Sequence, residues 1–310
     1  MGNIFSFGFE NQLIIFLQKY MSPLLTAAAG LITEFGDELA LVVLIGLVYW
    51  SLNKELGKKI IIYLSFVNIV NPCIKSVVRR LRPYMADGNI RCLKPVNKEG
   101  DIYDIVTQEY SFPSGHAANS IAAYGTVAKN VYRRWLRALL YALCLLIGIS
   151  RFALGVHYPT DVLAGWLISC LCIALYHKTE EKIGRYRTYL LFDILGLAGF
   201  FVAKTNDFYT GYGMLLGATA GIVFEEKHVN FETARGAADC IARTLIGGGL
   251  FLGLNALLKL PFDSEFLTGG TTAAFAVRAA RYALLMFLLL GVYPAAFKYF
   301  GGKYGKNTVV

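Results

Sequence analysis

Long apolar runs separated by short polar gaps set the pattern of this chain. The runs fall at 13–32, 39–50, 60–74, 117–127, 136–149 and 162–176, then at 189–203, 212–224, 240–258 and 282–300. Several are shorter than the roughly 20 residues that a full crossing of a bilayer needs, so tilted helices or shifted ends are expected. The pattern predicts an all-α fold, a polytopic transmembrane helix bundle. Residues 1–182 are read as a six-span core and 183–310 as about four additional spans of unassigned role. The first run contains Lys19 and Pro23 and is expected to follow, or continue from, an interfacial amphipathic segment. Residues 79–110 are the longest polar stretch, read as a lid or binding surface. Gly211, Gly213, Gly217 and Gly221, together with the run at 247–249, recur at near-helical spacing and predict tight helix packing. No internal repeat supports an inverted-repeat transporter.

Composition agrees with a membrane class. The 310 residues are 56% hydrophobic and 16% charged, with a mean hydropathy of +0.50. A soluble domain of this length could not hide so much apolar surface. The net charge of +9 does not point to nucleic acid, because the basic residues sit in the gaps between runs. They read as topology determinants and anion ligands. One set of gaps holds Lys54, Lys58, Lys59, Lys129, Arg133, Arg134, Arg137, Lys178, Lys182, Arg185, Arg187, Lys227, Arg235, Lys298, Lys303 and Lys306. The other holds chiefly Arg79, Arg80, Arg91, Lys94, Lys98 and Lys204. The richer side is expected to be cytoplasmic. The gap at 225–228 reads as a solvated loop. The cysteines lack metal-ligand spacing, and a Cys73–Cys92 pairing is left open.

Candidate chemistry lies at the ends of the apolar runs. Residues 150–161 read SRFALGVHYPTD, and upstream lie Lys75, Arg82 and Pro83, then Pro113, Ser114, Gly115 and His116. Ionisable groups at bilayer depth are costly and mark function by default. These stretches supply three cations, two imidazoles, a hydroxyl and a carboxylate, an inventory suited to a phosphate ester. Lys75 closes the third run, the PSGH segment opens the fourth, Arg151 closes the fifth and His157 precedes the sixth. Alternating spans therefore bring all of them to one membrane face. On the charge count that face is outward: periplasm or cell exterior in a bacterium, lumen in a eukaryote.

The spacing K-x6-RP, PSGH, then SR-x5-H-x3-D resembles the three-part signature of the type 2 phosphatidic acid phosphatases, integral-membrane lipid phosphatases that share an active site with vanadium haloperoxidases. The resemblance covers roughly residues 20–176. It implies a metal-independent hydrolase with no cofactor, acting on a phosphorylated lipid through a phosphohistidine. The implied roles are nucleophile for His157, orienting carboxylate for Asp161 and proton donor to the leaving group for His116. Lys75, Arg82, Ser114, Gly115 and Arg151 would bind phosphate. A multi-pass protein of a bacterial plasma membrane, with its site extracytoplasmic, is expected, and membrane lipids are its other partners. A lipid-linked phosphotransferase and a non-catalytic lipid transporter stay open as alternatives, as does the choice among undecaprenyl pyrophosphate, phosphatidylglycerol phosphate, phosphatidic acid and a sugar phosphate. Oligomeric state is left open.

Overall fold

Each apolar run becomes helix in the computed structural model, which describes residues 5–97 and 100–300. Lys98, Lys303 and Lys306, counted above for orientation, lie outside the described residues. The helices are α1 (Gly8–Lys19), α2 (Pro23–Glu34), α3 (Glu38–Leu52), α4 (Lys54–Val78), α5 (Gly115–Ser120, continued to residue 130), α6 (Arg134–Ala153), α7 (Pro159–Ile183), α8 (Arg185–Ala198), α9 (Asn206–Phe224), α10 (Ala237–Leu257) and α11 (Thr272–Tyr299). Among the described residues five, namely α4, α6, α7, α10 and α11, are long and apolar enough to cross a membrane. At 1.5 Å per residue, the 25 residues of α4 or α7 span about 37 Å.

Three run boundaries differ from expectation. The run at 13–32 is not one span: Ser22 caps α2, its Oγ accepting the Leu25 N–H at 3.3 Å, and Pro23 takes the first helical position. The resulting α1 and α2 have 12 residues each, about 18 Å, well short of a bilayer core. Helix α4, formed by the third run, does not close at Lys75 but runs to Val78, and Arg79 ends it with a left-handed φ of 54°. The last helix begins at Thr272, earlier than expected, because Thr271 Oγ1 accepts the Ala274 N–H at 3.1 Å and supplies a cap.

Chain contacts group the residues into two compact units that do not follow sequence order. The first holds the chain up to Leu41 together with Phe66–Phe208, the second Val42–Ser65 with the chain from Tyr209 onward. In the first unit α5 lies against α7, and Gly165 makes this possible: a Cβ there would sit 2.5 Å from the Ser114 carbonyl oxygen. Part of the stretch 79–110 is packed. Tyr84 and Ile90 join Ile14, Leu154, Val156 and Tyr158 in one apolar cluster. Helix α1 turns polar side chains inward, with Glu10 and Gln18 buried, while Phe9, Phe16 and Tyr20 on its other side are exposed.

In the second unit the glycine pattern does what its spacing suggests. A Cβ on Gly213 or Gly217 would meet the backbone oxygen of Ala279 or Ala283 at 2.3 or 2.1 Å, so α9 and α11 touch main chain to main chain. Of the triple glycine only Gly247 is confined, against the Trp50 ring; Gly248 and Gly249 face open space. The gap at 225–228 is not a solvated loop. Glu225 is fully buried and paired with Lys54 at 2.7 Å, and Glu226 pairs with Lys58 at 2.6 Å. Acid residues here answer lysines that the charge count took as free, a pairing no one-dimensional count detects.

Candidate active site

All three signature stretches lie in the first unit, and their backbones are tied together. Ser114 N–H donates to Asp161 O at 3.0 Å and Ser111 N–H to Arg80 O at 2.8 Å. Lys75 comes from the last turn of α4. Arg82 caps a short helical turn, Pro83–Ala86, whose proline presets the helical φ. Arg151 lies in the last turn of α6, and a sharp turn follows through Gly155, whose φ is +81°. A side chain could not fit there, since a Cβ would lie 2.2 Å from the Arg91 carbonyl oxygen. The turn delivers His157 just ahead of α7, which starts at Pro159 and carries Asp161 in its first turn.

Lys75, Arg82, Gly115, His116, Arg151 and His157 all line one cavity of about 260 Å³. Arg82 is pinned: Nε donates to the carbonyls of Gln108 at 2.8 Å and Glu109 at 3.0 Å, and Nη1 to that of Val156 at 2.8 Å. The same Nη1 lies 3.3 Å from His157 Nε2. A guanidinium only donates, so Nε2 must present its lone pair and the ring proton must sit on Nδ1. That Nδ1 is 3.5 Å from Asp161 Oδ2, within ion-pair range but longer than a hydrogen bond. Arg151 donates from Nη1 to Thr33 Oγ1 at 2.7 Å, while its buried Nε has no hydrogen-bond partner among the described residues.

Two predicted ligands are placed differently from one another. Gly115 reaches the cavity, whereas Ser114 is fully buried, does not line it, and accepts the Ala117 N–H on its Oγ at 3.4 Å as the cap of α5. The capped end still presents unpaired amides and the positive pole of α5 to an anion. Cys73 and Cys92 are free thiols and do not pair.

Four further charged residues complete the cluster, and sequence reasoning missed all of them. Asp37, in the turn between α2 and α3, takes a hydrogen bond on Oδ1 from His116 Nε2 at 2.6 Å. Glu109 pairs with Lys75 at 2.6 Å. Arg80, earlier assigned to topology, is fully buried and bridges Glu10 and Asp161, each at 2.6 Å. Their only signal was the one that flagged the histidines, a charge at the edge of an apolar run.

Electrostatics follow from burial among cations. Burial first, then Arg82, Arg151 and Lys75, hold His157 well below the ordinary histidine range, so the ring is neutral at pH 7. Burial and the Arg151 charge bring His116 down to about 4, against the pull of Asp37. Burial opposes ionisation of Asp37, but its hydrogen bond from His116 prevails and lowers it to about 2. Glu109 likewise stays lowered despite burial, through Lys75. A neutral imidazole lining a cavity among cations, and a second imidazole held by a carboxylate, can attack and protonate a phosphate ester.

Residues 57–185 match the PAP2 superfamily model, and residues 209–304 match that of the PAP2 superfamily phosphatase transmembrane extension. Sphingosine-1-phosphate phosphatase 1 of Rattus norvegicus is 29% identical over 205 residues, covering 61% of this chain and 45% of that protein. The chain thus matches less than half the length of this curated relative. Phosphatidylglycerophosphatase B of Bacillus subtilis (strain 168) is 27% identical over 187 residues, covering 56% of this chain and 82% of that one. Among solved structures, Aquifex aeolicus LpxE aligns with a TM-score of 0.47 at 23% identity, over 55% of this chain and 95% of its own. With its five long apolar helices and the matched extension, the chain is a multi-pass membrane protein.

Proposed function

The chain belongs to the PAP2 superfamily, and from that premise we propose that it is a metal-independent membrane phosphatase hydrolysing a phosphomonoester or pyrophosphate of a lipid through a phosphohistidine. The observation that carries the reading is His157, its Nε2 3.3 Å from Arg82 Nη1, lining one cavity together with Arg82, Lys75 and Arg151. The cavity is smaller than the roughly 300–1,000 Å³ of sites that enclose a drug-sized ligand, so a phosphorylated headgroup enters and the lipid tail stays outside. Relatives with names for sphingosine-1-phosphate, phosphatidylglycerophosphate and undecaprenyl diphosphate support a lipid ester and leave the choice of lipid to assay.

In the first step Nε2 attacks phosphorus, the bond from phosphorus to the leaving oxygen breaks, and His116 gives its proton to that oxygen. The imidazole of His157 becomes cationic, and Asp161 stabilises it across Nδ1. In the second step water attacks phosphorus, His116 takes the water proton, the P–N bond breaks and inorganic phosphate leaves. Lys75, Arg82 and Arg151 balance charge on the equatorial oxygens, where positioning and electrostatics dominate. Before the first step His116 must gain a proton. An arriving phosphate anion favours this, since it offsets the Arg151 charge that lowers His116. The site faces the extracytoplasmic side, as in a bacterial plasma membrane. The proposed catalytic residues all fall within 1–182, and the described helices from Arg185 onward are additions to that core.

The test is trapping. Protein quenched during turnover of a ³²P-labelled lipid phosphate should carry acid-labile, base-stable label that His157→Ala lacks. A panel of phosphatidic acid, phosphatidylglycerol phosphate, undecaprenyl pyrophosphate and a sugar phosphate identifies the substrate. Label passing to a second lipid rather than to water would make the protein a phosphotransferase. Headgroup binding without release of phosphate from any of the four would make it a transporter.

A further inference from the structure

The acid partner of His157 is held from a place remote in sequence. Asp161 Oδ2 accepts the Tyr158 N–H at 2.8 Å, and Oδ1 accepts from Arg80 Nη1 at 2.6 Å. The carboxylate cannot turn without breaking one of these, so its position relative to His157 Nδ1 is set by Arg80. Arg80 is itself fixed on every side. Its Nη1 also donates to Thr160 Oγ1 at 2.8 Å, Nη2 donates to Glu10 Oε2 at 2.6 Å, and Nε donates to the Phe5 carbonyl at 2.9 Å. The guanidinium lies 3.7 Å from the centre of the Tyr158 ring. Glu10 completes the circuit, for its Oε1 accepts from Thr160 N–H at 3.1 Å and from Thr160 Oγ1 at 2.6 Å.

Glu10, Arg80 and Asp161 are each fully buried. A buried ion triad contributes little net stability against well-packed apolar side chains, so stability alone does not explain it. Its electrostatic consequence is definite. Arg80 by itself would cancel the Asp161 charge, and Glu10 restores the triad to one net negative charge. That charge acts only when His157 becomes cationic, after attack on phosphorus. The residue that restores it arrives on α1, a helix whose exposed side is aromatic, with Phe9 57% and Phe16 52% exposed.

We propose that Glu10 and Arg80 are positioning residues for the Asp161–His157 pair, and that the seat of α1 sets the charge and aim of the catalytic carboxylate. The inference rests on the phosphatase reading. Because the triad acts on a state that exists only after attack, its loss appears in kcat and not in KM.

The test is a double-mutant cycle on full-length protein in detergent, with kcat and KM measured on the best lipid phosphate of the panel. Glu10→Gln keeps shape and removes charge; kcat should fall roughly tenfold or more, the scale of a lost supporting contact, with KM within about twofold. In an Asp161→Asn background the same substitution should change residual kcat by less than about twofold, since its target is gone. Should Glu10→Gln not fold, Thr160→Val repeats the test, because it removes only the hydroxyl that Glu10 and Arg80 share. An equal loss in both backgrounds, or a loss confined to KM, gives the triad a merely structural role and overturns the inference. Wild type active with kcat unchanged in the variants overturns it alone. Wild type releasing no phosphate from any lipid overturns the phosphatase reading and this inference with it.

Discussion

His157 and Arg151 stand in the same cavity but should fail by different amounts when removed. On the proposed mechanism His157→Ala deletes the atom that forms the new bond, so phosphate release should fall by several orders of magnitude while the protein stays folded. Arg151→Ala deletes one of several charge contacts and should cost on the order of 10²–10³ in kcat. More than a tenth of wild-type activity in His157→Ala would falsify the nucleophile assignment. The lowered histidines also carry a pH signature. An unfolded chain takes up protons on these side chains near 6.5, but folded His116 does so only near 4, and His157 too is held well below 6.5. The unfolded state therefore binds more protons in this window, and stability drops as pH falls from 6.5 toward 4. Melting temperature in detergent should decline across that range. The double variant His116→Asn with His157→Asn should flatten the decline, and an unchanged slope would show that other groups cause it.

At the scale of elements, the site depends on how closely α5 approaches α7. Gly165 permits that approach, and its nearest obstruction is the Ser114 carbonyl, backbone that cannot swing aside. Gly165→Leu should push the capped end of α5 away from the cavity and cost about 1–3 kcal/mol by overpacking. A lower melting temperature and a loss of activity should appear together. Activity at the wild-type level would mean that α5 sits elsewhere. Helix α1 is the other element whose importance exceeds its length. Its Gln18 accepts the Arg91 N–H at 2.9 Å and donates to the Arg91 carbonyl at 2.8 Å, fixing the long polar stretch at Arg91, while Glu10 fixes Arg80.

For the whole molecule, orientation and chemistry have separate tests. In a Cys92→Ser background, Asn97→Cys should react with an impermeant thiol reagent added outside intact cells, and Asn230→Cys should not. Both positions are exposed in the fold, so the contrast reports the membrane side. The reverse labelling would turn the site toward the cytoplasm. Activity should also survive excess chelator and be blocked by vanadate, which mimics the five-coordinate phosphoryl state. Loss in chelator with recovery in magnesium would remove the metal-independent mechanism.

Class, helical content and the six signature residues that line the cavity were legible in the sequence, for a physical reason. A bilayer demands continuous apolar runs with internally satisfied backbone, so spans write themselves as composition, and a charge at the end of such a run is conspicuous. Boundaries set by a local cap, as at Ser22 and Thr271, were legible only in principle, because each rests on one hydroxyl. The partners of the signature residues could not be read at all. Asp37 meets His116, Glu109 meets Lys75 and Glu10 meets Arg80 over separations of 79, 34 and 70 residues along the chain. Nothing in local periodicity encodes such pairs. Arg79 and Arg80 are adjacent and identical in sequence; only packing puts the first at the exposed end of a helix and the second, fully buried, between two carboxylates. Burial is decided by the tertiary fold, and burial decides whether a charge is a surface marker or part of the machinery.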